Sequence, residues 1–239
     1  MDDNTIRLKL TIISVIILAV IAVGFFYARD FFRFGERPID VSQTEKYPLR
    51  KNISVTTFWI GEKADDSNNH IANSKSAWDT DWKKHYGGTD DPKNRNGYHP
   101  ADFKPKENPF YFALPYNDFD DVDRKSEASG IVYWGKSKNW EDGESMLKNR
   151  WIAITKNGKT AYAQWEDVGP FGEDDAAYVF GNALPKSKEN NNAGLDVSPA
   201  VADYLKLTGK DKVDWRFIEE SDVPKGPWKE IVTTSQVNF

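Results

Sequence analysis

Residues 151–171 read WIAITKNGKTAYAQWEDVGPF, and this stretch decides the fold class. Trp151 to Lys156 and Lys159 to Trp165 are two runs suited to strands. Between them lies Asn157-Gly158, the dipeptide best able to supply the two positive φ angles of a type I′ turn. The stretch therefore predicts an antiparallel hairpin that leads directly into Glu166-Asp167-Val168-Gly169-Pro170-Phe171. Outward from it, the alternation of Ile53, Val55, Thr57 and Trp59 predicts a half-buried strand. Pro109 to Pro115 predicts an aromatic strand ending in the turn Tyr116-Asn117-Asp118, Ile131 to Trp134 a short strand, and Val213, Trp215 and Phe217 a last one. Ser198-Pro199 has the form of an N-cap followed by a proline at the first helical position. With Val201, Tyr204 and Leu205 as its apolar face and Gly209 as its stop, this predicts a helix of about ten residues. The chain reads as mostly β.

The ends and the middle divide the chain. Residues 10–28 are 19 consecutive uncharged residues rich in Ile, Val, Leu and Ala, close to the roughly 20 that cross a bilayer as a helix. They predict a transmembrane anchor behind a short tail, residues 1–9, with Phe25, Phe26 and Tyr27 at the interface. The competing reading is a cleaved signal peptide, with Arg7 and Lys9 as its basic region and small residues at Ala19 and Ala22. Arg29, Arg33 and Arg37 balance Arg7 and Lys9, so the positive-inside rule does not orient the span. The layout of a short tail, an apolar run and a long polar domain is that of an uncleaved signal anchor with its C-terminal bulk exported. That makes a single-pass cytoplasmic-membrane protein whose domain lies in the periplasm or extracellular space. Residues 29–51 read as a linker, 52–220 as the folded domain, about 61–108 as a long polar surface insertion, and 221–239 as a tail.

Composition narrows the chemistry. The balance of 32 Lys and Arg against 37 Asp and Glu, net −5, offers no general basic field for a phosphate backbone, so nucleic acid is not expected as a partner. The absence of cysteine excludes disulfides, thiolate metal sites and a cysteine nucleophile. His70, His85 and His99 fall in the insertion without ligand spacing, and Asp118, Asp120, Asp121 and Asp123 lack the glycine and distant glutamate of an EF-hand. Neither metal nor cofactor is expected. Nine Trp, ten Tyr and fourteen Phe exceed the needs of an ordinary core, so some are candidates for a ligand face.

EDVGPF (Glu166 to Phe171) resembles the NDRGPF motif of rare lipoprotein A. GLDVSPAVADYLKL (Gly194 to Leu207) resembles that family's IDLS motif with its following helix, and also the HFDLS motif of expansins. TTFWIG (Thr57 to Gly61 with the preceding Thr56) resembles the family's ASWYG, Ala113-Leu114-Pro115 its TLP, and the Asn157-Gly158 hairpin its NG turn. The resemblance runs from about residue 53 to 218, broken by the insertion. It implies a six-stranded double-psi β-barrel with one or two short helices. It further implies that Asp167 and Asp196 meet at one end of a groove as catalytic carboxylates, with Thr57, Trp59, Tyr111, Asp118, Trp165 and Glu166 as substrate contacts. Peptidoglycan, or another polysaccharide, would be the partner.

As in a lytic transglycosylase, one carboxyl group would protonate the oxygen between N-acetylmuramic acid and N-acetylglucosamine. It would then take the proton of the muramic O6 as the anhydro ring closes. We assign that role to Asp196, with Asp167 as the neighbour that raises its pKa, because like charges in proximity favour the protonated form. Two positions depart from the pattern: Val168 replaces the family's arginine and Tyr111 stands where its histidine precedes TLP. These departures favour an alternative, a non-catalytic glycan-binding or expansin-like loosening module, beside which stands an envelope scaffold domain. Purely structural roles are also open, Asp196 supporting the strand-to-helix turn and Asp167 making an Asx-type bond. Of Trp59, Trp134 and Trp165, one is expected in a groove and the others in the core.

Overall fold

The structure is a computed structural model that describes residues 46–66, 68 and 70–239. The expected membrane anchor at 10–28 and most of the linker lie outside the described residues. Within these, no helix is long and apolar enough to cross a membrane. In chain order the elements are β1 (Arg50–Thr57), α1 (Trp82–Tyr86), β2 (Arg95–Asn96), β3 (His99–Pro100), β4 (Tyr111–Leu114), β5 (Phe119–Asp120), β6 (Asp123–Arg124) and α2 (Ala128–Ile131). They continue as β7 (Trp151–Lys156), β8 (Lys159–Val168), α3 (Ala176–Val179), β9 (Ala193–Val197), α4 (Pro199–Leu205) and β10 (Lys212–Ile218).

Six strands close into a barrel in the order β1-β10-β7-β8-β4-β9. Two neighbouring pairs, β1 with β9 and β4 with β8, run parallel; the other four are antiparallel. Closure leaves no free edge for another chain to extend. The β7–β8 hairpin forms as expected, with Trp151 opposite Gln164 and Lys156 opposite Lys159. Asn157 and Gly158 take φ of 50° and 77°, as a type I′ turn requires.

The aromatic residues fill the inside. Val213, Trp215 and Phe217 alternate inward along β10, and Trp165 stacks between Phe112 and Phe217 with ring centroids 5.7 and 5.9 Å away. Phe180 lies flat on Phe217 at 5.7 Å. Tyr47 joins this core, so the folded domain is already packed ahead of the expected start at 52.

Three expectations are corrected. Residues 131–134 are the end of α2 and the turns after it; a four-residue apolar run between Gly130 and Gly135 does not distinguish strand from helix by periodicity. The helix α4 stops at Lys206, which takes the left-handed conformation at φ 54° and donates its N–H to Ala202 and Asp203, well before Gly209. The insertion, finally, is not a surface excursion. Trp82 and Tyr86 of α1 pack with Phe58, Ile60, Tyr111 and Ala113 into a second core, with Phe103 against it, and Trp78 enters the main one. The C-terminal segment is folded back as well. Thr233 accepts from the Asn108 N–H at 2.9 Å, and Asn238 exchanges backbone bonds with Trp78 and Thr80 at 2.8 and 2.9 Å.

The α4 cap joins helix to barrel, because Ser198 Oγ accepts from both Val201 N and, at 3.4 Å, Tyr111 N. Replacing Ser198→Ala is expected to lower stability by about 1–2 kcal/mol, read as a drop in the denaturant midpoint at unchanged slope.

Candidate functional site

The site is set by strand register. Ala113 in β4 faces Asp196 of β9 on its antiparallel side and Asp167 of β8 on its parallel side. Asp196 in turn pairs with Thr56 of β1. Asp167, Ala113, Asp196 and Thr56 thus form one row across four adjacent strands, at the roughly 4.8 Å spacing of a sheet. A bulge decides which acid joins the row: Phe112 pairs with Trp165, yet Ala113 pairs with Asp167. The skipped residue is Glu166. Bulges re-aim side chains in this way beside functional sites.

The small Ala113 side chain leaves room between the two acids. Gly169, the residue after Val168, lies beside them: a Cβ there would sit 3.7 Å from Asp196 Oδ2. Asp196 Oδ1 accepts a short hydrogen bond from the Thr56 hydroxyl. Asp167 Oδ1 accepts from the N–H groups of Ala77 and Val168, both at 2.8 Å. The donor at Ala77 belongs to the insertion, which therefore lies over Asp167. Asp167 is 8% exposed and Asp196 is half-buried, so Asp196 is the more accessible of the two.

Burial pushes both carboxyl groups up to about 7. For Asp167 the two backbone N–H bonds oppose the shift and the charge of Asp196 adds to it. For Asp196 the Thr56 bond opposes it and the charge of Glu62 adds to it. Glu62 is itself buried and raised by burial, and it accepts from Asn73 Nδ2 at 2.8 Å. A carboxyl group that is part protonated near neutrality can both give and take a proton there.

The expected substrate contacts fare unequally. Trp59 is half-buried and its carbonyl accepts from Glu62 N at 3.0 Å, so its backbone adjoins the segment of Glu62. Thr57 is half-buried but pairs with Val197; Thr56 is the threonine that touches Asp196. Trp165 is fully buried in the core, and Trp134 is packed edge-on to Phe217 at 5.0 Å. Tyr111 is fully buried and donates to Asp90 Oδ2 at 2.9 Å while accepting from Ile60 N at 3.0 Å. Asp118, also enclosed, holds the loop after α2 through Ser145 Oγ and Met146 N at 2.8 and 2.6 Å. Glu166 is buried against Lys148 at 2.6 Å, its carboxyl pushed up to about 7 by burial. Trp165, Tyr111, Asp118 and Glu166, like Trp134, are framework, because each is enclosed within the domain.

Thr56 could have been found from parity: Ile53 and Val55 point inward on β1, so Thr56 points the other way. Glu62 and the Ala77 N–H carry no such signal. Among the described residues no three His, Cys, Asp or Glu side chains are grouped to hold a metal ion.

A scan against protein-family models and a search of curated proteins both return no match for this chain.

The raised carboxyl groups make stability pH-dependent. Each has a higher pKa folded than its ordinary 3.8, so folding takes up protons, and stability falls as pH rises from about 4 through about 7. Asp196→Asn and Asp167→Asn keep the oxygen that accepts the Thr56, Ala77 and Val168 bonds. Each is expected to flatten that fall and to stabilise the protein at pH 8 by about 2 kcal/mol, measured by urea unfolding at pH 5 and pH 8.

Proposed function

We propose that this chain is a membrane-anchored, exported protein whose domain is a double-psi barrel of the rare lipoprotein A and expansin kind. It acts on peptidoglycan glycan strands as a lytic transglycosylase. A closed six-stranded barrel with two parallel pairs in an otherwise antiparallel sheet is compatible with that fold. The observation that carries the reading is the row Asp167–Ala113–Asp196, which joins the two motif carboxylates through one small residue.

In this reading a large fraction of Asp196 is protonated at neutral pH and donates to the glycosidic oxygen. The carboxylate left behind takes the O6 proton as O6 bonds to the anomeric carbon and the leaving sugar departs with the first proton. No water attacks, so the wider-set carboxylate pair of an inverting hydrolase is not needed. Glu62 acts on Asp196 through charge, favouring the protonated acid at the start, whereas the charge between the two motif acids raises Asp167 and not, as expected, Asp196. Trp59 supplies a flat face for a sugar ring.

A second reading has its own support. Tyr111 is sealed in the second core and Val168 carries no charge, so the histidine and arginine of the motif have no counterpart here. A module that grips glycan without cutting it would retain the groove and lose these groups.

The full-length chain, in detergent, is to be incubated with intact and with peptide-stripped peptidoglycan and the soluble products weighed by mass spectrometry. Anhydro-muramic products are expected. Asp196→Asn should reduce their release by about 10²-fold or more. Co-sedimentation with the glycan without products would establish the binding module instead.

A further inference from the structure

The segment from Asn73 to Ala77 crosses the site like a strap. At one end Gly61 N donates to Asn73 O at 2.7 Å and Asn73 Nδ2 to Glu62 at 2.8 Å; at the other, Ala77 N donates to Asp167 at 2.8 Å. Its outward side opens on a cleft of about 450 Å3 lined by Ser74, Lys75, Thr80, Asp81, Lys83 and Lys84. That volume lies in the ~300–1,000 Å3 range of small-ligand sites. The Lys83 side chain runs beside Gly61, its Cδ 3.2 Å from where a Cβ would stand, so the cleft borders the residue that precedes Glu62.

The charges in the cleft are not balanced. Lys84 pairs with Asp81 at 3.1 Å, a bond that holds the Asp81 carboxyl below its ordinary range. Asp81 is the only carboxylate in the lining, against Lys75, Lys83 and Lys84. Among the described residues, Lys75 and Lys83 make no ion pair or hydrogen bond through their ammonium groups. Three lysines against one carboxylate, in a concavity of a chain whose net charge is −5, form a local anion trap, and the Ser74 and Thr80 hydroxyls add polar groups.

We propose that this cleft is a subsite for a carboxylate borne by the glycan, gripped by Lys75 and Lys83 next to the sugar that meets Asp196. The proposal rests on the glycan reading of the site and deepens it, making the substrate class an acidic glycan and not a neutral one. In peptidoglycan such a carboxylate belongs either to the lactyl group of muramic acid, exposed when the peptide is stripped, or to the peptide stem.

The test compares binding of the full-length chain and of its Lys75→Gln/Lys83→Gln variant to glycan strands by co-sedimentation. The strands are peptide-bearing, peptide-stripped, and stripped with their carboxyl groups converted to methyl esters. The expected result is about tenfold weaker binding of the esters by the parent chain, and the same loss for the variant on whichever carboxylate-bearing strand is the source. The variant and the parent should bind the esters alike. Equal binding of acid and ester by the parent overturns the carboxylate subsite and leaves the glycan site standing. Failure to bind any strand overturns both.

Discussion

The pairing of β4 with neighbours on both sides holds the rest together. This strand is only Tyr111–Leu114, all of it buried, yet it closes the barrel between β8, to which it is parallel, and β9, to which it is antiparallel. Its one inward-to-outward alternation separates two environments: Phe112 and Leu114 enter the main core, Tyr111 and Ala113 the second. The same alternation that packs the domain therefore places Ala113 between the two acids. A larger side chain at that position would stand between the two carboxylates of the row.

The second core explains why a polar insertion can lie over a site without hindering the barrel. Tyr111 meets Trp82, Phe58 and Tyr86 with ring centroids 5.5, 5.4 and 6.2 Å away, and the buried Arg95–Asp90 pair at 2.5 Å closes the cluster by way of the Tyr111 hydroxyl. The insertion is thus anchored through apolar contact to the outside of β4. Asn238 fastens it from the C-terminal end, while its contacts with the acids are hydrogen bonds from Ala77 and Asn73. Apolar burial carries the insertion, and polar bonds tune the acids beneath it.

The fold was legible where local chemistry dictates it. Asn157-Gly158 fixes a hairpin by the sign of two φ angles, Ser198-Pro199 fixes a helix start, and the alternation of Val213, Trp215 and Phe217 fixes a strand face. The motif acids Asp167 and Asp196 were also legible, and the register brings them into one row. What the sequence withheld depends on partners distant along the chain. Glu166 and Asp167 are adjacent and both acidic, and only the bulge opposite Ala113 sends one to Lys148 and the other to the site. Trp165 and Tyr111 read as ligand-facing by motif position, but an aromatic ring is placed by the largest apolar surface within reach, and here that is the core. The insertion misled for the same reason: its Asn, Asp and Lys residues mask the few aromatic anchors that bury it.

Val168, where the motif it resembles has an arginine, has a further electrostatic consequence. A guanidinium beside two carboxylates would favour their charged forms and pull their pKa values down. Among the described residues neither acid feels a lysine or arginine; burial raises both, and the charges that act on them are other carboxylates. Lys75 and Lys83 stand on the strap's outer side, where they border Glu62's segment, and neither acts on the two acids. The arrangement separates two demands that one arginine would have to meet together. The acids stay poised near neutrality because burial raises them and no described cation acts on them, while the lysines stand in the cleft beyond the strap. On the other side of Gly169, the cleft that begins at Pro170 carries Glu173, Asp174 and Asp175, but Lys125 pairs with Asp174 and Lys186 faces Asp175, so its charges are largely matched where those of the lysine-lined cleft are not.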